Sequence, residues 1–230
     1  MPDTEIDDYF AAAFIRGMAL QGIPPELPSH FLETPLDELA DADLNAIVNF
    51  GKDAELKLHR FKKSLGALPR IKKILGFLQG VMPQSILDVG SGRGAFLWPC
   101  LRMFPLTSVT AMDTDKRRFE LYKAVQLGGV ENLHAEHFDI RSFDAPDKSF
   151  DIVTALEVLE HIETPEDAVR NAVRLAQRFV AISVPSKEDD NPQHLHLLTE
   201  PVIREMLAEA GCHRVRVDYT LGHLLAIASL

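Results

Sequence analysis

The chain lacks the marks of several protein classes. It has two cysteines in 230 residues, Cys100 and Cys212, too few and too widely spaced for a disulfide framework or a thiolate zinc site. Both read as small buried hydrophobes in a reducing compartment. No apolar run approaches the roughly 18 residues that a spanning helix needs, so no membrane span is expected. The opening MPDTEIDDYF contains acids and no Lys or Arg, unlike a secretory or mitochondrial leader, and the cytoplasm is the expected compartment. Positive charge is scarce at the start: residues 1–56 hold 12 acidic and 2 basic side chains. The remainder carries 22 of each sign, so the net charge of −10 belongs to the first segment alone. That balance argues against broad nucleic-acid affinity. Only residues 57–73, with seven Lys or Arg and no acid, keep nucleic acid open as the less favoured partner.

What is present has globular composition, 46% apolar and 25% charged, and is long enough to bury a core unaided. Residues 1–68 read as an N-terminal helical cap. Thr4-Glu5-Ile6-Asp7 resembles a capping box, followed by Ile6, Phe10, Phe14 and Met18 on one helical face. Thr34-Pro35 with Asp37 predicts a second helix start, and Gly51 its end. Leu58, Phe61 and Leu65 keep helical spacing, and after Pro69 so do Ile71, Ile74, Leu75 and Leu78.

Residues 69–230 have a different texture. Short apolar runs at Ser85–Val89, Ser108–Met112, 132–138, Phe150–Leu156 and 179–184 alternate with helical stretches at 95–104, 115–126 and 165–178. Such alternation predicts a parallel sheet covered on both faces. A helix at 200–210 then precedes two strands, 213–219 and 223–229, joined by a turn too short for anything but an antiparallel pair. The expected fold is α/β, a mostly parallel sheet with an antiparallel terminal strand and the helical cap.

The most informative segment is Ile86-Leu87-Asp88-Val89-Gly90-Ser91-Gly92-Arg93-Gly94. An apolar strand runs into three alternate glycines, which allow positive φ and close approach of a ligand to the backbone. The spacing is not the Gly-x-Gly-x-x-Gly of a dinucleotide site, and no Gly-Lys-Ser/Thr follows to hold a triphosphate. Asp88 beside the loop would repel a pyrophosphate and suits an ammonium group. The second strand ends in Asp113-Thr114, placed where an acid can take both hydroxyls of a ribose. After the third strand, Asp139 can accept from an adenine amino group while Phe138 or Ile140 packs the base.

These residues, together with Phe150-Asp151-Ile152-Val153-Thr154-Ala155 on the fourth strand, resemble the class I S-adenosylmethionine-dependent methyltransferases over about residues 70–230. The resemblance implies a seven-stranded Rossmann-like sheet with S-adenosylmethionine over the first three strand ends. Gly90, Ser91, Gly92 and Gly94 would take the methionine portion, Asp113 and Thr114 the ribose, Asp139 and Ile140 the adenine, with Asp88, Leu156 and Glu157 completing the site.

After the fourth strand comes Leu156-Glu157-Val158-Leu159-Glu160-His161. Read as a helical turn, it places Glu157, Glu160 and His161 on one face, with His196 on the loop after the fifth strand. Glu157, Glu160, His161 and His196 are thus candidate ligands for a divalent cation (Mg, Mn or Zn) that would activate an acceptor hydroxyl. Without a metal, His161 or His196, with Glu157, would serve as catalytic base; the third alternative is that the turn only braces the loop. The quartet resembles that of small-RNA 3′-terminal ribose 2′-O-methyltransferases, and its Glu-x-x-Glu-His part that of ubiquinone-pathway O-methyltransferases. His223 on the terminal hairpin is expected to lie far from the site. The expected function is methyl transfer to an oxygen, or nitrogen, of a small-molecule acceptor by a monomer or homodimer. The alternatives are metal-assisted RNA ribose methylation and a catalytically silent cofactor-binding regulatory subunit.

Overall fold

Seven strands form one sheet in a computed structural model that describes residues 5–188 and 190–230, the Leu65 side chain excepted. They are β1 (Ser85–Val89), β2 (Ser108–Met112), β3 (Leu133–Glu136), β4 (Phe150–Leu156), β5 (Ala176–Pro185), β6 (Arg214–Thr220) and β7 (His223–Ser229). Their order is β3-β2-β1-β4-β5-β7-β6. The first five run parallel, and β7 is antiparallel to both β5 and β6. This is the Rossmann-like arrangement expected. The strands alternate their allegiance as a pleated sheet must: Ile86 packs into one apolar cluster and Leu87 into the other. The β6–β7 turn has positive φ at Leu221 and Gly222, the combination that matches the twist of a two-residue hairpin.

One face is covered by α1 (Asp8–Leu20), α4 (Pro69–Val81), α5 (Leu97–Met103) and α6 (Lys116–Leu127), the other by α7 (Pro165–Leu175) and α8 (Glu200–Glu209). The cap shares the sheet's core. Phe10 and Phe61 pack against Trp98, with ring centroids at 5.5 and 5.2 Å, and Trp98 meets Tyr122 at 6.2 Å. Helix α1 approaches α6 closely because glycines face backbone: a Cβ on Gly17 would lie 1.7 Å from the Ala124 carbonyl oxygen, and one on Gly128 1.7 Å from that of Ala13.

The cap differs in detail from its sequence pattern. Thr4 lies outside the described residues; Asp7 caps α1, its carboxylate accepting from Tyr9 N at 3.2 Å. Thr34-Pro35 leads only into a 3-10 turn, Leu36–Glu38, after the short α2 (Ser29–Glu33). Helix α3 (Asp41–Asp53) begins later, where Asp43 accepts from Ala40 N. Gly51 lies inside α3 because a Cβ there would meet Ile15 at 2.4 Å. Residues 58–67 form two 3-10 turns rather than a helix. On the basic segment, Lys63 pairs with Glu5 of the acidic arm, but Lys73 pairs with Asp218 of β6 at 2.6 Å; such exposed pairs add little stability. No helix among the described residues is long and apolar enough to cross a membrane.

Candidate functional site

The carboxyl ends of β1, β2 and β4 open into a cavity of about 760 Å³, within the range of small-molecule sites. Its floor is the glycine loop, where Gly90, Gly92 and Gly94 take φ of +63°, +61° and +80°. Two of them are packing glycines: Cβ atoms would strike Val158 at Gly90 and the Trp98 indole at Gly94. Gly92 is the open one, with nothing nearer than 3.6 Å to a Cβ built on it, so a ligand can approach its backbone. The loop is held by Ser91 Oγ donating to Asp88 O at 3.0 Å and by the Tyr122 hydroxyl donating to Gly92 O at 2.6 Å.

The three strand-end acids lie around this cavity in different states. Asp88 is 2% exposed; Thr154 Oγ1 donates to its Oδ1 at 2.7 Å, while Oδ2 is buried with no partner. Burial pushes its carboxyl up to about 6. Asp113 is already oriented: Oδ2 accepts from Gly92 N at 3.0 Å, Arg118 and Tyr122, and Oδ1 from Asp115 N at 2.9 Å. One lone pair on Oδ1 stays available for a ribose hydroxyl. Asp139 is engaged by Arg141, whose Nη2 donates to Oδ2 at 2.6 Å and whose backbone N donates to Oδ1 at 2.9 Å. That guanidinium holds the Asp139 carboxyl below its ordinary value. Thr114, Ile140, Leu156 and Glu157 also line the cavity.

Arg70, on the first turn of α4, was not singled out by any motif. It lines the same cavity, and its Nε is a buried donor with no partner. An orphaned guanidinium N–H and an orphaned carboxylate oxygen lining one cavity are complementary to a zwitterionic amino acid. The methionine end of S-adenosylmethionine fits this pair. Arg70 would face its carboxylate and Asp88 its ammonium group.

The Glu-x-x-Glu-His segment departs from the helical turn expected of it. Glu157 has φ +59° and follows directly on β4; the next turn, Leu159–His161, is 3-10. Its Oε1 accepts from Ser183 Oγ at 2.6 Å, and Oε2 lies 3.1 Å from His223 Nε2. His223, expected far away, therefore stands beside the site. Antiparallel pairing places it opposite Pro185, at the ligand edge of β5. Among the described residues, the groups whose ligand atoms come within 4.8 Å of one another are Glu160, His161 and His194. Glu157 and His196 are not among them, so the expected quartet is not assembled. His196 Nε2 is instead 3.0 Å from Ile162 O. His161 lines the cavity with Nδ1 2.8 Å from Gln193 O, so the neutral ring carries its proton on Nδ1 and presents Nε2 as an acceptor.

A family profile described as a methyltransferase domain matches residues 87–178. The chain is 29% identical over 104 residues to the ubiquinone biosynthesis O-methyltransferase of Rickettsia felis, covering 45% of this chain and 41% of that protein. It is 37% identical over 87 residues to the mitochondrial ubiquinone biosynthesis O-methyltransferase of Schizosaccharomyces pombe, covering 36% and 31%. The chain thus spans less than half the length of these relatives. A crystal structure of an S-adenosylmethionine-dependent methyltransferase from Aquifex aeolicus superposes with a TM-score of 0.55 at 20% identity, over 73% of this chain and 93% of that one. The strand order and this superposition show a Rossmann-like fold, and the part of the chain that carries the glycine loop and the first five strands is similar to a methyltransferase domain.

Proposed function

We propose that the chain binds S-adenosylmethionine in this cavity and transfers its methyl group to an oxygen, or nitrogen, of a small-molecule acceptor. The observation that carries the reading is the pair of buried orphan groups, Arg70 Nε and Asp88 Oδ2, on residues that line one cavity with a glycine loop that leaves room for a ligand at Gly92. When bound, the cofactor supplies a methyl group on a sulfonium centre whose thioether leaves without a proton. The chain's own contribution is chiefly positioning. Arg70, Asp88 and the glycine loop hold the amino-acid end, Asp113 and Thr114 the ribose, Asp139 and Ile140 the adenine. Leu156 and Glu157 border the reacting end. With Nδ1 engaged by Gln193 O, His161 has Nε2 left to take the acceptor's proton, whereas His196 Nε2 is turned to a carbonyl. The names of the relatives support oxygen as the acceptor atom.

A second reading rests on the Glu160, His161 and His194 group. These three would hold a divalent cation, which would lower the pKa of an acceptor hydroxyl there. Their ligand atoms lie within 4.8 Å of one another, and metal bonds of roughly 2.0–2.2 Å would set the final spacing. The test of the main reading uses methyl-labelled S-adenosylmethionine and fractions of a small-molecule extract. Label transfer that falls at least a hundredfold in His161→Gln, with cofactor affinity retained, is expected. Binding of S-adenosylhomocysteine without transfer to any fraction would mean a silent binding subunit and refute the proposal.

A further inference from the structure

A second cavity, of about 690 Å³, shares no lining residue with the one at the glycine loop. Helix α4 walls one side with Lys73 and Phe77, and β6, the edge strand of the sheet, walls the other. Phe179 of β5 and Leu225, Ile227 and Ser229 of β7 line it between them. The register accounts for this set. Strand β6 pairs Arg214 with Ser229, Arg216 with Ile227 and Asp218 with Leu225, and side chains two residues apart share a face of the sheet. Leu225 belongs to the same apolar cluster as α4, so a row of three charges on β6 stands beside an apolar floor. Phe77 and Phe179 meet on that floor edge to face, with ring centroids at 5.2 Å.

The three charges are not equivalent. Lys73 Nζ donates to Asp218 Oδ2 at 2.6 Å and to Tyr219 O at 3.0 Å, and Tyr219 N donates to Asp218 Oδ1 at 2.8 Å. The acid is therefore satisfied, and it ties α4 to β6 at one end of the cavity. Further along the strand, the side chains of Arg214 and Arg216 make no hydrogen bond or ion pair among the described residues. Inward charge on an edge strand deters pairing with another sheet, and charges of alternating sign would do so without repulsion. Here two like charges stand about 7 Å apart along the strand. Above an apolar floor, they are complementary to an anion attached to an apolar body.

We propose that this cavity binds a small amphiphilic carboxylate, its apolar body on Phe77, Phe179 and Ile227 and its carboxylate between Arg214 and Arg216. The planar guanidinium fork matches a carboxylate, and the volume suits a small molecule. Nothing in this proposal depends on the methyltransferase reading. Helix α4 carries Arg70 and Ile71 to the cofactor cavity and Lys73 and Phe77 to this one, so the two sites share a wall and no residue.

The test titrates the full chain, by calorimetry, with octanoate, with 1-octanol as the neutral counterpart and with acetate as the head group alone. One saturable octanoate site per chain is expected, at least tenfold tighter than 1-octanol, with no binding of acetate. Both arginines are exposed, so Arg214→Gln/Arg216→Gln leaves the core intact. That double variant should weaken octanoate to the level of 1-octanol and leave 1-octanol unchanged, while Arg214→Lys/Arg216→Lys should recover part of the loss. Excess S-adenosylhomocysteine should not abolish octanoate binding. The proposal is overturned if octanoate binds no tighter than 1-octanol or acetate, or if the Gln double variant binds it as the parent does. The arginines then only guard the edge strand. Displacement of octanoate by S-adenosylhomocysteine would overturn it too, by placing the ligand in the cofactor cavity. So would a concentration-dependent dimer that shuts octanoate out, since the cavity is then an interface between copies.

Discussion

Replacing Gly17 by alanine sets two effects against each other at one position. Gly17 lies within α1, where alanine is favoured over glycine by about 1 kcal/mol. The added Cβ would stand 1.7 Å from the Ala124 carbonyl oxygen, 2.5 Å from its carbon and 2.9 Å from its Cα. All three are backbone atoms of α6 and cannot swing aside. Ordinary contact is near 3.5 Å, so the helices must part by roughly 1.5–2 Å along an interface that also packs Ala11, Ala12 and Ala13. Overpacking a rigid site costs about 1–3 kcal/mol or more, and against main chain the upper part of that range applies. Gly17→Ala should therefore lose about 2 kcal/mol, which for a chain of this size lowers Tm by about 4–8 °C. Gly76→Ala is the matched control. Gly76 is inside α4 with nothing within 4 Å of a Cβ, so the same change should stabilise by about 0.5–1 kcal/mol. Calorimetric melting of the three proteins decides the matter. Shifts of the same sign, or a Gly17→Ala variant melting at or above the parent, would refute the packing argument.

Asp88 supplies a pH-dependent prediction. Its folded carboxyl is raised to about 6 from 3.8, so its contribution to stability is greatest below the unfolded value and is lost as pH rises through about 6. The gap corresponds to roughly 3 kcal/mol. The stability difference between the ligand-free parent and Asp88→Asn should change between about pH 4 and 6, in urea titrations, and level off above; a flat difference contradicts the burial of that charge. At the adenine end, Arg141→Gln should free the Asp139 carboxylate and tighten S-adenosylhomocysteine about two- to fivefold, the scale of a part-exposed ion pair. Weaker binding would show that Arg141 helps hold the base. If a cation sits on Glu160, His161 and His194, added Zn or Mn should raise Tm in the parent and in His196→Ala but not in His194→Ala. Equal loss in both histidine variants would restore the quartet expected from the sequence.

Much of the fold was legible because local and tertiary signals agree. Strands β1, β2 and β4 begin and end where the apolar runs do, each stopping at a glycine, an Asp or a left-handed residue at the cavity. Helix α7 stops at Leu175, short of the expected 178, because Ala176 is already paired with Phe150 in the sheet. In the cap, Thr34-Pro35 and Gly51 carry the residue types of helix ends, yet Gly51 is selected by the space Ile15 leaves. The helical period of residues 157–161 does not carry through the turn after β4, because Glu157 adopts φ +59° and the turn is 3-10, which sends Glu157 to Ser183 and His223. The position of His223 was available from topology. An antiparallel last strand starts where its parallel neighbour ends, at the ligand edge. Arg70 had no local signal, since only the folded cavity brings the first turn of α4 to the glycine loop.

The central claim, that the cavity holds the zwitterionic end of S-adenosylmethionine between Arg70 and Asp88, is tested most directly by isothermal titration of S-adenosylhomocysteine into the parent, Arg70→Gln and Asp88→Asn. Charged hydrogen bonds of this kind are worth about 1.5–3 kcal/mol. The account predicts one site per chain with micromolar affinity, weakened by about ten- to a hundredfold in each variant. Absence of binding, or variants that bind as tightly as the parent, would contradict it.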